Sequence, residues 1–138
     1  MGEDILAVLA ATVGMFAFGA IWYTPLFGKL WGKMNGFYKL TKAEQKAAMS
    51  KMGPTFALQF LVTILTAYVL AWLIDVLPGY SAYTLAGLLW IGLIVPTQIS
   101  NVLFGRIEDK WKIKMVGVQA FGSLGCLLVG AVILSLFK

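Results

Sequence analysis

Four long apolar runs, at residues 5–22, 54–77, 82–104 and 113–137, constrain this chain more than any other feature. Only Asp75 and Lys114 carry charge within them. A helix needs about 20 such residues to cross a hydrocarbon layer of about 30 Å. The sequence therefore predicts an all-α fold, a four-transmembrane-helix bundle built as a single integral membrane domain over 1–138. Apolar residues make up 60% of the chain and charged residues 12%, against about 25% in a soluble domain. That balance, with a mean hydropathy of +0.86, excludes an ordinary soluble enzyme.

The charges between the runs predict the threading. Lys29, Lys33, Lys39, Lys42, Lys46 and Lys51 follow the first run, and Arg106, Lys110, Lys112 and Lys114 follow the third. The other side carries only Lys138. Basic residues accumulate in cytoplasmic loops. The expectation is a multi-pass cell-membrane protein with loops 23–53 and 105–112 in the cytoplasm and both termini outside. The net charge of +5 is thereby explained without nucleic acid, and the lysines are expected to meet anionic lipid headgroups. Glu3 and Asp4 stand where a secretory signal peptide would carry basic residues, which argues against one. Asp4 is also suited to cap the first helix.

The stretch Gly19–Asn35 joins apolar span to charged loop. Pro25 suits the first turn of a new helix and Thr24 its N-cap, predicting a short amphipathic helix over 25–34. Leu26, Phe27, Leu30, Trp31 and Met34 fall on one face, and Gly28, Lys29, Gly32 and Lys33 on the other. Such a helix lies in the bilayer interface, with Trp22 and Tyr23 in the aromatic belt and Asn35-Gly36 as its stop. Thr41-Lys42-Ala43-Glu44 is a capping box that opens a second interfacial helix over 42–52.

Polar groups inside the spans mark candidate sites. In the second span, Gln59, Thr63 and Thr66 share a face, which serves either interhelical hydrogen bonding or a permeation surface. In the third, Pro96 frees the carbonyl of Gly92, and Thr97, Gln98, Ser100 and Asn101 follow at once. Transporters build sites from proline-broken helices, and ordinary membrane helices also use nearby hydroxyls to absorb a proline. Gly14 in the first span, and Gly122, Cys126 and Gly130 in the last, form small-residue strips for close helix packing.

There is no histidine and one cysteine. No disulfide, zinc cluster or histidine base can be assembled within the chain, so neither a cofactor nor a metal nor enzymatic activity is expected. A short echo, Leu26-Phe27-Gly28-Lys29-Leu30 against Leu103-Phe104-Gly105-Arg106-Ile107, suggests two hairpins in parallel orientation.

The motif Gly19-Ala-Ile-Trp22-Tyr23-x-Pro25-x-Phe27-Gly28-Lys29-x-Trp31 resembles the signature of a bacterial and fungal family of small integral membrane proteins, domain of unknown function 1761. Pro96 with Asn101-x-x-Phe104, and the glycine-rich last span, are similar to the family's second half. The resemblance implies four spans and brings no activity. It carries nothing onto Lys39–Lys51. On these grounds the first expectation is a homo-oligomeric channel- or transporter-like protein for a small solute or ion. The alternative is a non-catalytic accessory or scaffold protein packed against a larger membrane partner.

Overall fold

The computed structural model describes residues 5–137; the expected Asp4 cap and Lys138 lie outside the described residues. The described chain is helical throughout: α1 (Ile5–Ile21), α2 (Gly28–Met34), α3 (Lys42–Ser50), α4 (Met52–Val76), α5 (Ala82–Leu89), α6 (Val95–Leu103) and α7 (Asp109–Leu136). Two π-turns, Trp22–Leu26 and Trp90–Ile94, join α1 to α2 and α5 to α6. Four stretches are long and apolar enough to cross a membrane: Ile5–Leu26, Met52–Val76, Ala82–Leu103 and Asp109–Leu136.

Local chemistry accounts for most boundaries. The Thr41 hydroxyl accepts from Glu44 N at 3.2 Å and the Glu44 carboxylate accepts from Thr41 N at 3.3 Å, completing the capping box that starts α3. Ser81 caps α5 through Thr84 N at 3.1 Å. Gly36 ends α2 with φ of 75°, a left-handed conformation that costs a side-chain-bearing residue far more. Pro54 falls at the third position of α4, not the first, and its missing N–H is still among those a helix start leaves unbonded. The last helix begins at Asp109, earlier than the apolar run, because an acidic first turn suits the positive end of the helix dipole.

The expected start of a new helix at Pro25 is corrected. Thr24 caps nothing. Pro25 lies inside a π-turn closed by Phe27 N donating to Trp22 O at 3.0 Å. In an α-turn the proline ring would strike the carbonyl four residues back, and the wider turn relieves that clash. The same device precedes Pro96, where Val95 N bonds Trp90 O. The two LFG segments are not conformationally equivalent: Gly28 opens a helix, whereas Gly105 follows one.

The longest helix, α7, is the axis of the bundle; α1, α5, α6 and, more lightly, α4 and α2 pack on it. Its small residues receive the side chains of α1 in antiparallel order. A Cβ on Gly130 would stand 2.7 Å from Met15 Sδ, one on Gly125 would strike the Phe18 ring, and one on Gly122 would stand 2.7 Å from Trp22 Nε1. Gly14 of α1 meets Ile133 and Val129 in return. The small-residue strips therefore pack α1 on α7 within one subunit.

Two buried clusters divide the bundle along its length. One, around Ala11, Leu70, Ala86, Leu127, Ala131 and Leu134, fills the end away from the lysine-bearing loops. The other, around Met34, Val102, Met115 and Val118, lies at the loop end, and Phe27, Leu30 and Trp31 pack against it. The apolar side of α2 is thus turned toward α6 and α7. Leu26 is the exception and stays exposed.

Candidate functional site

Ahead of Ile64, which packs on the first cluster, α4 contributes to neither. From Met52 to Thr66 it stands off from α7, and the space left is a cavity of about 730 Å³ between α1, α4 and α7. Along α4 it spans about 21 Å at 1.5 Å per residue. Met15 and Leu127 of the buried core line its inner end. Tyr23, Thr24, Trp31 and Met52 lie at its loop end. A second hollow of about 210 Å³, lined by Leu65, Val69, Leu89 and Leu93, lies on the other flank of α4. Thr66, Ile94 and Leu127 are shared by the two hollows.

Among the described residues, no Asp, Glu, Lys or Arg lines the large cavity. Aromatic rings frame it, with Phe16 and Phe56 edge-to-face at 6.4 Å across α1 and α4, and Tyr23 and Trp31 at 4.8 Å near the loops. Apart from Tyr23 and Thr24 at the loop end, its polar groups sit on α4 and α7. Thr63 donates to Gln59 O at 2.7 Å, and the Gln59 amide donates back to Thr63 Oγ1 at 3.3 Å. Ser123 donates to Gln119 O at 2.8 Å, and Cys126 Sγ to Met15 O at 3.5 Å.

Behind this wall, three side chains fasten onto consecutive carbonyls of α7. Trp22 Nε1 donates to Val118 O at 2.9 Å, Gln98 Nε2 to Gln119 O at 3.3 Å, and Trp90 Nε1 to Ala120 O at 2.7 Å. Both tryptophans are the first residues of π-turns. Gln98 Nε2 also donates to Ser123 Oγ at 2.6 Å, while Gln98 Oε1 is buried without a hydrogen-bond partner.

The structure redistributes the residues singled out from sequence. Gln59, Thr63, Tyr23, Trp31, Gly122 and Cys126 come together around the cavity. Pro96, Thr97, Ser100 and Asn101 do not join them; all four are exposed, and Thr97 is bonded to Leu93 O of its own helix. Only Gln98 of that group turns inward. In the N-terminal motif, Trp22 anchors to α7, and Phe27 packs on it at 4.6 Å between ring centres. Gly28 sits where a Cβ would be 3.1 Å from Tyr23 O, and Lys29 is exposed. Ser123, Thr55, Met15 and Phe56 line the cavity and carried no sequence signal that set them apart from ordinary span residues. At the loop end, Lys39 and Lys110 both pair with Glu108, tying the first loop to the second. These cations hold the Glu108 carboxyl below its ordinary range, the Lys39 hydrogen bond contributing most.

Among the described residues, no three His, Cys, Asp or Glu side chains stand together as a metal site. The arrangement offers no paired acid and base and no activated nucleophile. What it offers is an uncharged, aromatic-framed hollow.

Comparisons with curated proteins and with solved structures found no match. A family model described as a protein of unknown function, DUF1761, matches residues 6–135, nearly the whole chain, and the chain therefore belongs to that family.

Proposed function

We propose that this is a carrier-type membrane protein that receives a small solute in the α1–α4–α7 cavity. The observation that carries the reading is the position of the hollow: it runs from the lysine-bearing loop end of the bundle inward to Met15 and Leu127 of the buried core. A hollow that ends against buried core residues suits alternating access better than an open channel, because a channel needs a continuous path. The weakly held first half of α4 is the element that would move. Ligand sites in helical bundles commonly lie between helices in this way.

In this reading the lysine-bearing loops face the cytoplasm and the termini face outside, as the excess of basic residues favours. The working unit is a homo-oligomer, since four helices around a half-open hollow leave its flank to be covered by a second copy. The exposed lysines of α2 and α3 rest on anionic headgroups at the interface.

The test is reconstitution into liposomes and osmotic swelling against a graded set of neutral solutes: urea, glycerol, erythritol and sorbitol. Wild-type vesicles should admit at least one solute faster than protein-free vesicles, and Ala20→Trp, which fills the cavity, should abolish the difference. Equal rates for wild type and Ala20→Trp across the set would refute carriage.

A further inference from the structure

We infer that the cavity's ligand is an uncharged molecule with a flat apolar body that presents a hydrogen-bond donor to Gln59. The inference rests on the proposal that the cavity is a binding site, and it adds the chemistry of what binds.

The argument is an inventory of protons. Every hydroxyl on the α4 wall has its proton committed to the backbone carbonyl four residues before it: Thr55 to Lys51 O at 3.0 Å, Thr63 to Gln59 O at 2.7 Å and Thr66 to Val62 O at 3.2 Å. Ser123 on α7 is committed in the same way, and the Cys126 thiol points its proton at Met15 O. A hydroxyl whose proton is committed can only accept.

This fixes the orientation of Gln59. Because Thr63 Oγ1 has given its proton to Gln59 O, it must accept from the Gln59 side chain, so the amide nitrogen faces Thr63. Gln59, an exposed residue of the cavity lining, is left with Oε1 and its second amide N–H free of hydrogen bonds. Midway along the cavity the free polar sites are thus mostly acceptors. The uncommitted hydroxyl donors, Tyr23 and Thr24, lie at the loop end.

Two features restrict the rest of the ligand. With no charged side chain in the lining, a full charge would lose its hydration and gain no partner, which costs several kcal/mol or more. Phe16, Phe56 and Trp31, with Met15, Met52, Ile94 and Leu127, supply ring faces and soft apolar surface for a flat body. Alcohols, phenols and primary amides on an aromatic or alicyclic frame meet all of these conditions.

A matched set of probes tests the donor and the charge separately: 1-naphthol, 1-methoxynaphthalene and 1-naphthoate, on full-length protein in nanodiscs. Cys126 lines the cavity and is the chain's one thiol, so its alkylation by N-ethylmaleimide, followed by intact mass, reports occupancy. 1-Naphthol should slow alkylation saturably, at about tenfold lower concentration than 1-methoxynaphthalene, and naphthoate should not protect. Partition into lipid cannot mimic this order, because the methyl ether is the more lipophilic of the neutral pair. Gln59→Leu should bring the two neutral probes to the same midpoint, each measured relative to that variant's own ligand-free alkylation rate. Gln59→Met repeats the test with a more compliant side chain. Equal protection by naphthol and its methyl ether in wild type would overturn the donor preference and leave the cavity a binding site. Stronger protection by naphthoate would overturn the neutral class. No protection by any probe would overturn the inference and the binding site together.

Discussion

Gly122 is where the packing of α1 on α7 can be measured most directly. A methyl added there would stand 2.7 Å from Trp22 Nε1, 2.8 Å from Trp22 Cδ1 and 3.2 Å from the Tyr23 hydroxyl. The indole cannot simply swing aside. It is stacked on Phe18 at 5.7 Å, lies against Phe27 at 4.6 Å, and is bonded to Val118 O. Gly122→Ala gains about 1 kcal/mol of helix propensity. Against that stand about 1–3 kcal/mol for overpacking and about 1 kcal/mol for the displaced indole bond. The net expectation is a loss of about 1–3 kcal/mol.

The same numbers predict a dependence on Trp22. In a Trp22→Phe background Nε1, the atom nearest the methyl, is gone and so is the bond it would break, leaving a smaller ring and the Tyr23 hydroxyl at 3.2 Å. Gly122→Ala should then be neutral or stabilising by up to about 1 kcal/mol. The double-mutant cycle should return a coupling of about 1–4 kcal/mol. The assay is reversible SDS titration in mixed micelles, followed by far-ultraviolet circular dichroism. Additive penalties, or a stabilising Gly122→Ala in the wild-type background, would show that Trp22 does not hold the position assigned to it.

Three further outcomes follow from the loops. Thr41→Ala removes one half of the capping box and should destabilise α3 locally by about 0.5–2 kcal/mol, seen as faster amide exchange over 42–50 with the spans unchanged. Glu108 is held below its ordinary range when folded, so the unfolded chain takes up its proton first as pH falls. Its pairing with Lys39 therefore stabilises the fold above the ordinary carboxylate range and is lost as pH drops through the folded value; the small difference in melting temperature between wild type and Glu108→Gln should vanish in acid. Threading is tested in a Cys126→Ser background: an impermeant maleimide should label Ser50→Cys only from the cytoplasmic side and Gly79→Cys only from outside. The reverse pattern would overturn the proposed orientation.

What the sequence made legible was local. Thr41 with Glu44, and Gly36 after Asn35, act within a single turn of chain, so their roles follow from residue type and spacing. The glycine strip of α7 was legible for a related reason: Gly122 and Gly130 lie on one helix face, and a face of small residues admits a close neighbour. The cavity was not legible. It exists because α4 leans on α1 and α5 while α6 follows α7, and no spacing within one helix encodes that divergence. Gln59 and Thr63 were singled out as a polar face, but which neighbour the face would meet depended on the whole bundle.

The polar cluster after Pro96 fails to face inward for a reason that can itself be tested. The inner face of α5 is set by Ala82, Ala86 and Leu89. Continued as an α-helix, that face would pass through Leu93, Thr97 and Asn101. The π-turn adds one residue, a rotation of about 100°, so the inner positions become Ile94, Gln98 and Val102. Deleting Gly92, which has open space at its Cβ position, should remove the extra residue and turn Thr97 toward α7. Gln98 would lose its bonds to Gln119 O and Ser123 Oγ, worth about 1 kcal/mol each. The deletion also returns Pro96 to an α-turn and its clash, so adding Pro96→Ala should recover part of the lost stability. In a Cys126→Ser background, a short bis-methanethiosulfonate should link Gln98→Cys to Ser123→Cys in the full-length chain. With Gly92 removed, the link should pass to Thr97→Cys. A cross-link that stayed at position 98 after the deletion would mean that the contacts with α7, and not the π-turn, determine which face of α6 turns inward.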